Sequence, residues 1–135
     1  MIDIEAVWPE FSFLTSLGME AIDGNIDRGG FNNAFLRLKG ENFWIILSRD
    51  RGDLMVDIGK VPDVTHKIEN AIEIIAGIKL SEPVPADMLA KLTLMNWDQL
   101  SAGFSDAAWV EKLKIYGQVK AAAWFAGLGT PTQPT

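Results

Sequence analysis

From residue 31 to residue 59, apolar side chains recur at every second position, broken only by Gly40-Glu41 and Arg51-Gly52. A period of two with connections this short predicts antiparallel strands joined by hairpins. Strands are expected over residues 31–39, 42–50 and 53–58, with a weaker one over 19–23 before the Gly/Asn/Asp-rich loop 24–30. Asp50-Arg51-Gly52-Asp53 suits a tight turn, with Asp50 bonding backbone N–H groups and Gly52 supplying a positive φ.

Register tests this reading, because a slip of one residue turns every side chain to the other face. Two-residue connections pair Leu38 with Phe43, Leu36 with Ile45 and Ala34 with Leu47, and then Leu47 with Val56 and Ile45 with Ile58. All of these fall on one face, which is therefore the expected core face. The reverse face holds Phe35, Arg37, Lys39, Trp44, Ile46, Ser48, Met55 and Asp57. The same pairing sets Trp44 opposite Arg37, a cation–π arrangement, and Ile46 between Phe35 and Asp57. This mixture of aromatic, aliphatic and charged residues suits either a second core layer under a helix or an interaction surface. Because four helices cannot share one small face, a C-terminal helix is expected to cover it.

Outside the sheet the period becomes helical. Val7, Phe11, Leu14 and Leu17 mark a short N-terminal helix with Pro9 in its first turn and Gly18 as its stop. After Gly59, Asp63 or Thr65 is expected to cap a helix with Ile68, Ile72 and Ile75 on one stripe, ended by Gly77. A second helix after Pro85 uses Met88, Leu89, Leu92, Met95 and Leu100, and a third, capped by Ser105, runs to about Phe125. Trp8, Trp97, Trp109 and Trp124 are expected between helices, and one of Trp124 and Phe125 should point outward. The resulting expectation is a single α+β domain over residues 1–126 with a frayed tail over 127–135. It comprises an N-terminal helix, a three- to four-stranded antiparallel meander, and three C-terminal helices packed on the sheet.

Composition narrows the chemistry. The 135 residues are 48% hydrophobic and 22% charged, enough for a real core. The formal charge of −6 argues against nucleic acid, which requires a clustered basic face, and permits a basic protein partner. Acidity concentrates at the start, where Asp3, Glu5, Glu10, Glu20, Asp23 and Asp27 face Arg28 alone. The chain has no cysteine, which excludes disulfides and thiolate chemistry. A basic n-region is missing from the first seventeen residues and no stretch is long and apolar enough for a span, so a cytoplasmic location without membrane association is expected.

No catalytic or metal constellation emerges. His66, the one histidine, reads as a partly exposed residue near a helix start, with no nucleophile motif to serve. Asp50 and Asp53 flank a turn while Asp57 lies further along, so they do not make a carboxylate pair or a metal site. Gly24, Gly29 and Gly30 lack the following lysine and helix of a phosphate loop. Arg49 and Arg51 bracket the hairpin tip, where they tie the turn down or offer a donor fork to a carboxylate.

The run from Phe43 to Gly59, with Arg49-Asp50-Arg51-Gly52 followed by Val56-Asp57-Ile58-Gly59, resembles a group of small bacterial proteins of unknown function. In these a helix ending in an aromatic-Gly step leads into a meander with an R-D-R-G-x-x-x-V-D-I-G-like hairpin, and helices follow. Some are treated as immunity proteins of polymorphic toxin systems. The resemblance covers residues 17–60. The chain departs from it at Leu17-Gly18-Met19, where an aromatic-Gly-aromatic step is more typical. The group has no catalytic motif to carry over.

These readings converge on a non-enzymatic protein-binding module of immunity type that needs no cofactor. Its expected partner is a basic protein such as a toxin, and its expected contacts are Glu20, Asp23, Asp27, Trp44, Arg49 and Arg51. One alternative is a ligand-binding or enzymatic domain with Arg37, Arg49 and Asp57 in a pocket between sheet and helices. The other is a self-associating structural protein, a homodimer in the simplest case.

Overall fold

The computed structural model describes residues 4, 8–27, 33–50 and 53–129. Five strands, β1 (Glu20–Asp27), β2 (Asn33–Lys39), β3 (Trp44–Asp50), β4 (Asp53–Val61) and β5 (Val64–Lys67), form one antiparallel sheet in sequence order. A 3₁₀ turn, Pro9–Phe11, and a one-turn helix α1 (Phe13–Ser16) precede it. Four helices follow: α2 (Ile68–Ala76), α3 (Ala86–Met95), α4 (Trp97–Phe104) and α5 (Ala107–Gly129). The α+β class and the antiparallel meander therefore hold, with one strand and one helix more than the pattern predicted.

Each departure has a local cause. The fifth strand occupies the residues read as a helix cap: Asp57 pairs with Lys67, Ile58 with His66 and Val61 with Val64, so α2 starts only at Ile68. Neither Asp63 nor Thr65 caps that helix, whose N-cap is Lys67 without a side-chain bond. The helix expected after Pro85 divides at Asn96, where the side-chain amide donates to the Leu92 carbonyl at 2.8 Å. Met88 and Met95, expected in its core stripe, are exposed, while Leu89 and Leu100 are buried. In α5, Asp106 rather than Ser105 provides the cap, its Oδ1 accepting the Ala108 N–H at 3.0 Å. That helix also runs past Phe125 to Gly129, into the stretch expected to fray.

The β3–β4 register is as predicted, with Leu47 opposite Val56 and Ile45 opposite Ile58. Between β2 and β3 the register differs by two residues: Lys39 pairs with Trp44, Leu38 with Ile45 and Leu36 with Leu47. Four residues, Gly40 to Phe43, make the connection, because the Asn42 amide is drawn away to the Ser101 hydroxyl at 2.8 Å. A slip of two preserves the faces. Leu36, Leu38, Ile45, Leu47 and Ile58 are therefore fully buried as expected, against Ile68, Ile72, Leu100 and Phe104 from the helices.

The N-terminal segment closes one end of this core with Trp8, Phe11 and Leu14, all fully buried, while Leu17 is exposed; Val7 lies outside the described residues. Gly18 takes the left-handed conformation (φ 91°) that stops the helix, and the Met19 N–H returns to the Leu14 carbonyl. Each such fully buried apolar side chain contributes about 1.5–3 kcal/mol relative to exposure. The covered face of the sheet thus carries most of the stabilisation.

Candidate protein-binding face

The reverse face of the sheet is open. Along β2 and β3 its side chains all retain some exposure, and Phe35 (38%) and Met55 (48%) are well exposed. Trp44 and Ile46 between them are half-buried, and among the described residues the helix expected over this face is not there. The helices stack on the opposite face because that face presents unbroken aliphatic rows. On the reverse side Arg37, Lys39 and Asp57 interrupt any such row, and burying them under a helix carries a desolvation cost.

The shifted β2–β3 register changes the neighbours on this face. Trp44 lies opposite Lys39, whose ammonium is 5.8 Å from the ring centroid, so the cation–π partner is Lys39 and not Arg37. Ile46 lies between Arg37 and Asp57. Arg37 turns instead to β1 and grips Asp23 in a two-pronged ion pair, with Nε 2.7 Å from Oδ1 and Nη2 on Oδ2. The Arg37 hydrogen bond holds the Asp23 carboxyl below its ordinary pKa range, against a smaller upward push from desolvation.

β1 is an outer strand of the sheet, and its sequence suits that place. A bulge between Ala21 and Asp23 carries the exposed Ile22, and acids dot the strand, both devices that discourage edge-to-edge pairing. Of the acids expected to meet a partner, Glu20 is exposed and stands opposite Lys39, while Asp23 is already engaged by Arg37. Asp27 ends β1, and its side chain lies outside the described residues, as does all of Arg51.

Arg49 belongs to the other face by register. It lines a shallow recess of about 270 Å³ at the hairpin end with Asn25, Asn33, Phe35 and Asp50. Asp57 lines a different recess, about 350 Å³, with Met55, Lys67, Glu69 and Glu82. Arg37 lines neither, so the three polar groups of the pocket reading are not gathered in these two recesses. Burial raises the pKa of both Asp57 and Glu69, with nearby Lys67 opposing the rise. Among the described residues no group of three or more His, Asp or Glu side chains could hold a metal ion, and no helix is long and apolar enough to cross a membrane.

Sequence reasoning missed a buried polar cluster between α2 and α5. Glu73, with its side chain 1% exposed, accepts from Tyr116 Oη at 2.7 Å, Lys120 Nζ at 2.8 Å and the Leu80 N–H at 2.7 Å. Burial pushes the Glu73 carboxyl up, but these donors outweigh it and the net shift is downward. Donating its hydroxyl proton to that carboxylate pushes the Tyr116 pKa up to about 12. Lys120 also reaches Asn70 Oδ1 at 3.1 Å, so every charge in the cluster is answered and it works as a clamp between helices. The one hint in the sequence is Glu73, set directly after Ile72 of the core stripe in a helix that also carries Glu69 and Asn70.

The hairpin signature divides in the same way. Val56 and Ile58 are core, and a Cβ on Gly59 would meet the Val64 carbonyl oxygen, with Thr65 Cα at 3.0 Å. That glycine is required by the close approach of β5, so Val-Asp-Ile-Gly explains folding. Comparisons with protein-family models, with curated proteins and with solved structures give no match to this chain.

Proposed function

We propose that this chain is a non-enzymatic protein-binding module of immunity type, masking a basic surface of its partner with the open face of its sheet. The observation that carries this reading is the layout of that face. An apolar centre of Phe35, Trp44, Ile46 and Met55 is ringed by Glu20, Asp23, Asp50, Asp53 and Asp57, against Arg37, Lys39 and Lys67. An apolar centre within a charged rim is the anatomy of protein interfaces, and the acid excess favours a basic partner through steering and complementarity. Trp44 is the anchor, with Glu20 and the Arg49 end of the hairpin at the margin.

The test is co-expression with the product of a neighbouring gene, followed by titration of the purified pair. A stoichiometric complex is expected that weakens with added salt. Trp44→Ala should lower affinity at least about 30-fold, the scale of an interface hot spot. Absence of any complex, or a complex indifferent to both Trp44→Ala and Phe35→Asp, overturns the reading.

A further inference from the structure

Where the start of α2, the segment carrying Glu82 and the second half of α5 meet, they leave a recess of about 470 Å³, within the size range of small-molecule sites. One wall is aromatic. Trp124, expected between helices, is instead 61% exposed and lines this recess beside Phe125, which is 64% exposed. The two rings meet edge to face with centroids 5.0 Å apart. A planar ring laid against them removes apolar surface that now faces water.

The other wall is polar and unevenly satisfied. Asn70 is 6% exposed, yet only one end of its amide is used. Lys120 donates to Asn70 Oδ1 at 3.1 Å, which sets the orientation of the amide and turns Nδ2 toward Gly117. There Nδ2 has no acceptor among the described residues. A nearly buried donor in that state carries a desolvation cost that a ligand oxygen removes. Lys120 stands beside it with two of its three N–H groups given to Glu73 and Asn70. The Glu82 carboxylate is 3.8 Å from Lys120 Nζ, outside hydrogen-bond range, so one ammonium donor is left over. Gly117 keeps the space open, since a Cβ there would lie 3.3 Å from Asn70 Nδ2.

We infer that the recess binds a small aromatic carboxylic acid, its ring against Trp124 and Phe125 and its carboxylate on Asn70 Nδ2 and Lys120 Nζ. Both unused groups are donors, so the ligand must present acceptors; an amine would set N–H against N–H. Two adjacent donors fit the two oxygens of one carboxylate, and Lys120 makes the contact charge-assisted. The chain carries −6 overall, but this lining sets Lys67 and Lys120 against Glu82 alone. Glu73, its side chain 1% exposed, is shielded by Tyr116, Lys120 and the Leu80 N–H. The recess shares only Lys67 with the open sheet face and its rim, so loss of either activity leaves the other in place.

The test uses three probes with one ring system and different ends: naphthoate, naphthamide and naphthylmethylamine. Each is titrated into the full chain, with the indole N–H resonance of Trp124 as the readout. Naphthoate should bind with a dissociation constant on the order of 0.1–1 mM. The amide should bind at least about 10-fold more weakly, and the amine not at all. Asn70→Asp keeps the bond to Lys120 and sets a carboxylate where the ligand's must lie. It should weaken naphthoate at least about 10-fold while circular dichroism stays native. Phe125→Ala should weaken naphthoate and naphthamide alike. If Asn70→Asp fails to fold, Gly117→Ala decides, because alanine suits a helix interior and its methyl group occupies the space before Asn70 Nδ2. A Trp124 resonance that no probe moves overturns the assignment. So does an amide or amine that binds as tightly as naphthoate, or a naphthoate affinity that Asn70→Asp, or Gly117→Ala in its place, leaves unchanged.

Discussion

The two faces of the sheet are built from the same strands, with neighbouring residues of one chain pointing in opposite directions, yet they meet different fates. Leu36, Leu38, Ile45, Leu47 and Ile58 lie under the helices without exposure, whereas Phe35, Arg37, Trp44, Ile46 and Met55 remain open. Hydrophobicity alone does not make this division, since tryptophan and isoleucine are on the open side. What separates the faces is continuity. The covered face has an aliphatic side chain at each central position, while the open face sets a charge within one or two positions of every apolar group.

The largest break in the comparison comes from truncating one residue on each side of β3. Leu47→Ala leaves a cavity between sheet and helices and should cost about 3–4 kcal/mol by chemical denaturation. Ile46→Ala, its neighbour on the open face, should cost less than about 1 kcal/mol, because water already reaches that site. Equal losses at the two positions would mean that the reverse face is covered.

A second contrast sets two ion pairs against each other. Glu73→Ala removes the common acceptor of Lys120, Tyr116 and the Leu80 N–H, and should destabilise by about 3 kcal/mol. Asp23→Asn, on the open face, should leave the melting temperature nearly unchanged despite the two-pronged contact with Arg37. The pH dependence follows the same division. The folded-state pKa of Glu73 is lowered, so its contribution is present above the unfolded value of 4.5 and is lost as pH falls through the lower folded value. The Tyr116 pKa is raised to about 12, so its contribution is present below pH 10 and is lost as pH rises toward 12. Tyr116→Phe should flatten the alkaline limb and leave the acid limb governed by Glu73.

The register between β3 and β4 was legible because a two-residue connection and period-two alternation leave one register that buries Ile45, Leu47, Val56 and Ile58 together, while the turn residues Arg51 and Gly52 lie outside the described residues. The preceding hairpin kept its faces and lost its register, since what draws Asn42 out of the strand is Ser101, fifty-nine residues away. Thr65 and Asp63 look like helix caps in isolation, yet extended pairing of His66 and Lys67 with β4 wins locally. The Glu73 cluster was invisible for a related reason, as its partners Tyr116 and Lys120 lie on a helix placed only by tertiary packing. The open face was misread: its mixed composition suits a second core layer or an interaction surface, and the covering helix expected from the helix count does not lie over it among the described residues.

Gly59 sharpens the comparison from another side, as a buried position with the parity of the open face. Gly59→Ala pushes a methyl group against the Val64 carbonyl and Thr65, so β5 must shift or detach. A loss of about 1–3 kcal/mol is expected. Faster amide exchange confined to Val64–Lys67 would locate it. A neutral outcome would mean that β5 is loosely attached.

A small effect is expected at Asp57, also on the open face, and here the sign is informative. Burial raises its pKa above the usual 3.8, with partial relief from Lys67 on β5. A raised carboxyl pKa means that the folded state holds its proton more tightly than the unfolded chain. The associated stability is complete at pH values below 3.8 and is lost as pH rises through the folded value. At neutral pH the ionised side chain is therefore a mild liability. Asp57→Asn should increase stability by about 0.5 kcal/mol after allowance for solvent screening, a gain that shrinks as the solution is acidified toward pH 4. A partner's cation reaching Asp57 would reverse this sign in the complex, because the carboxylate would gain a counter-charge that asparagine cannot match. Thermal denaturation of Asp57→Asn with and without bound partner separates the two cases. A variant more stable alone but weaker in the complex marks Asp57 as part of the binding rim, whereas one that gains equally in both states removes it from that rim.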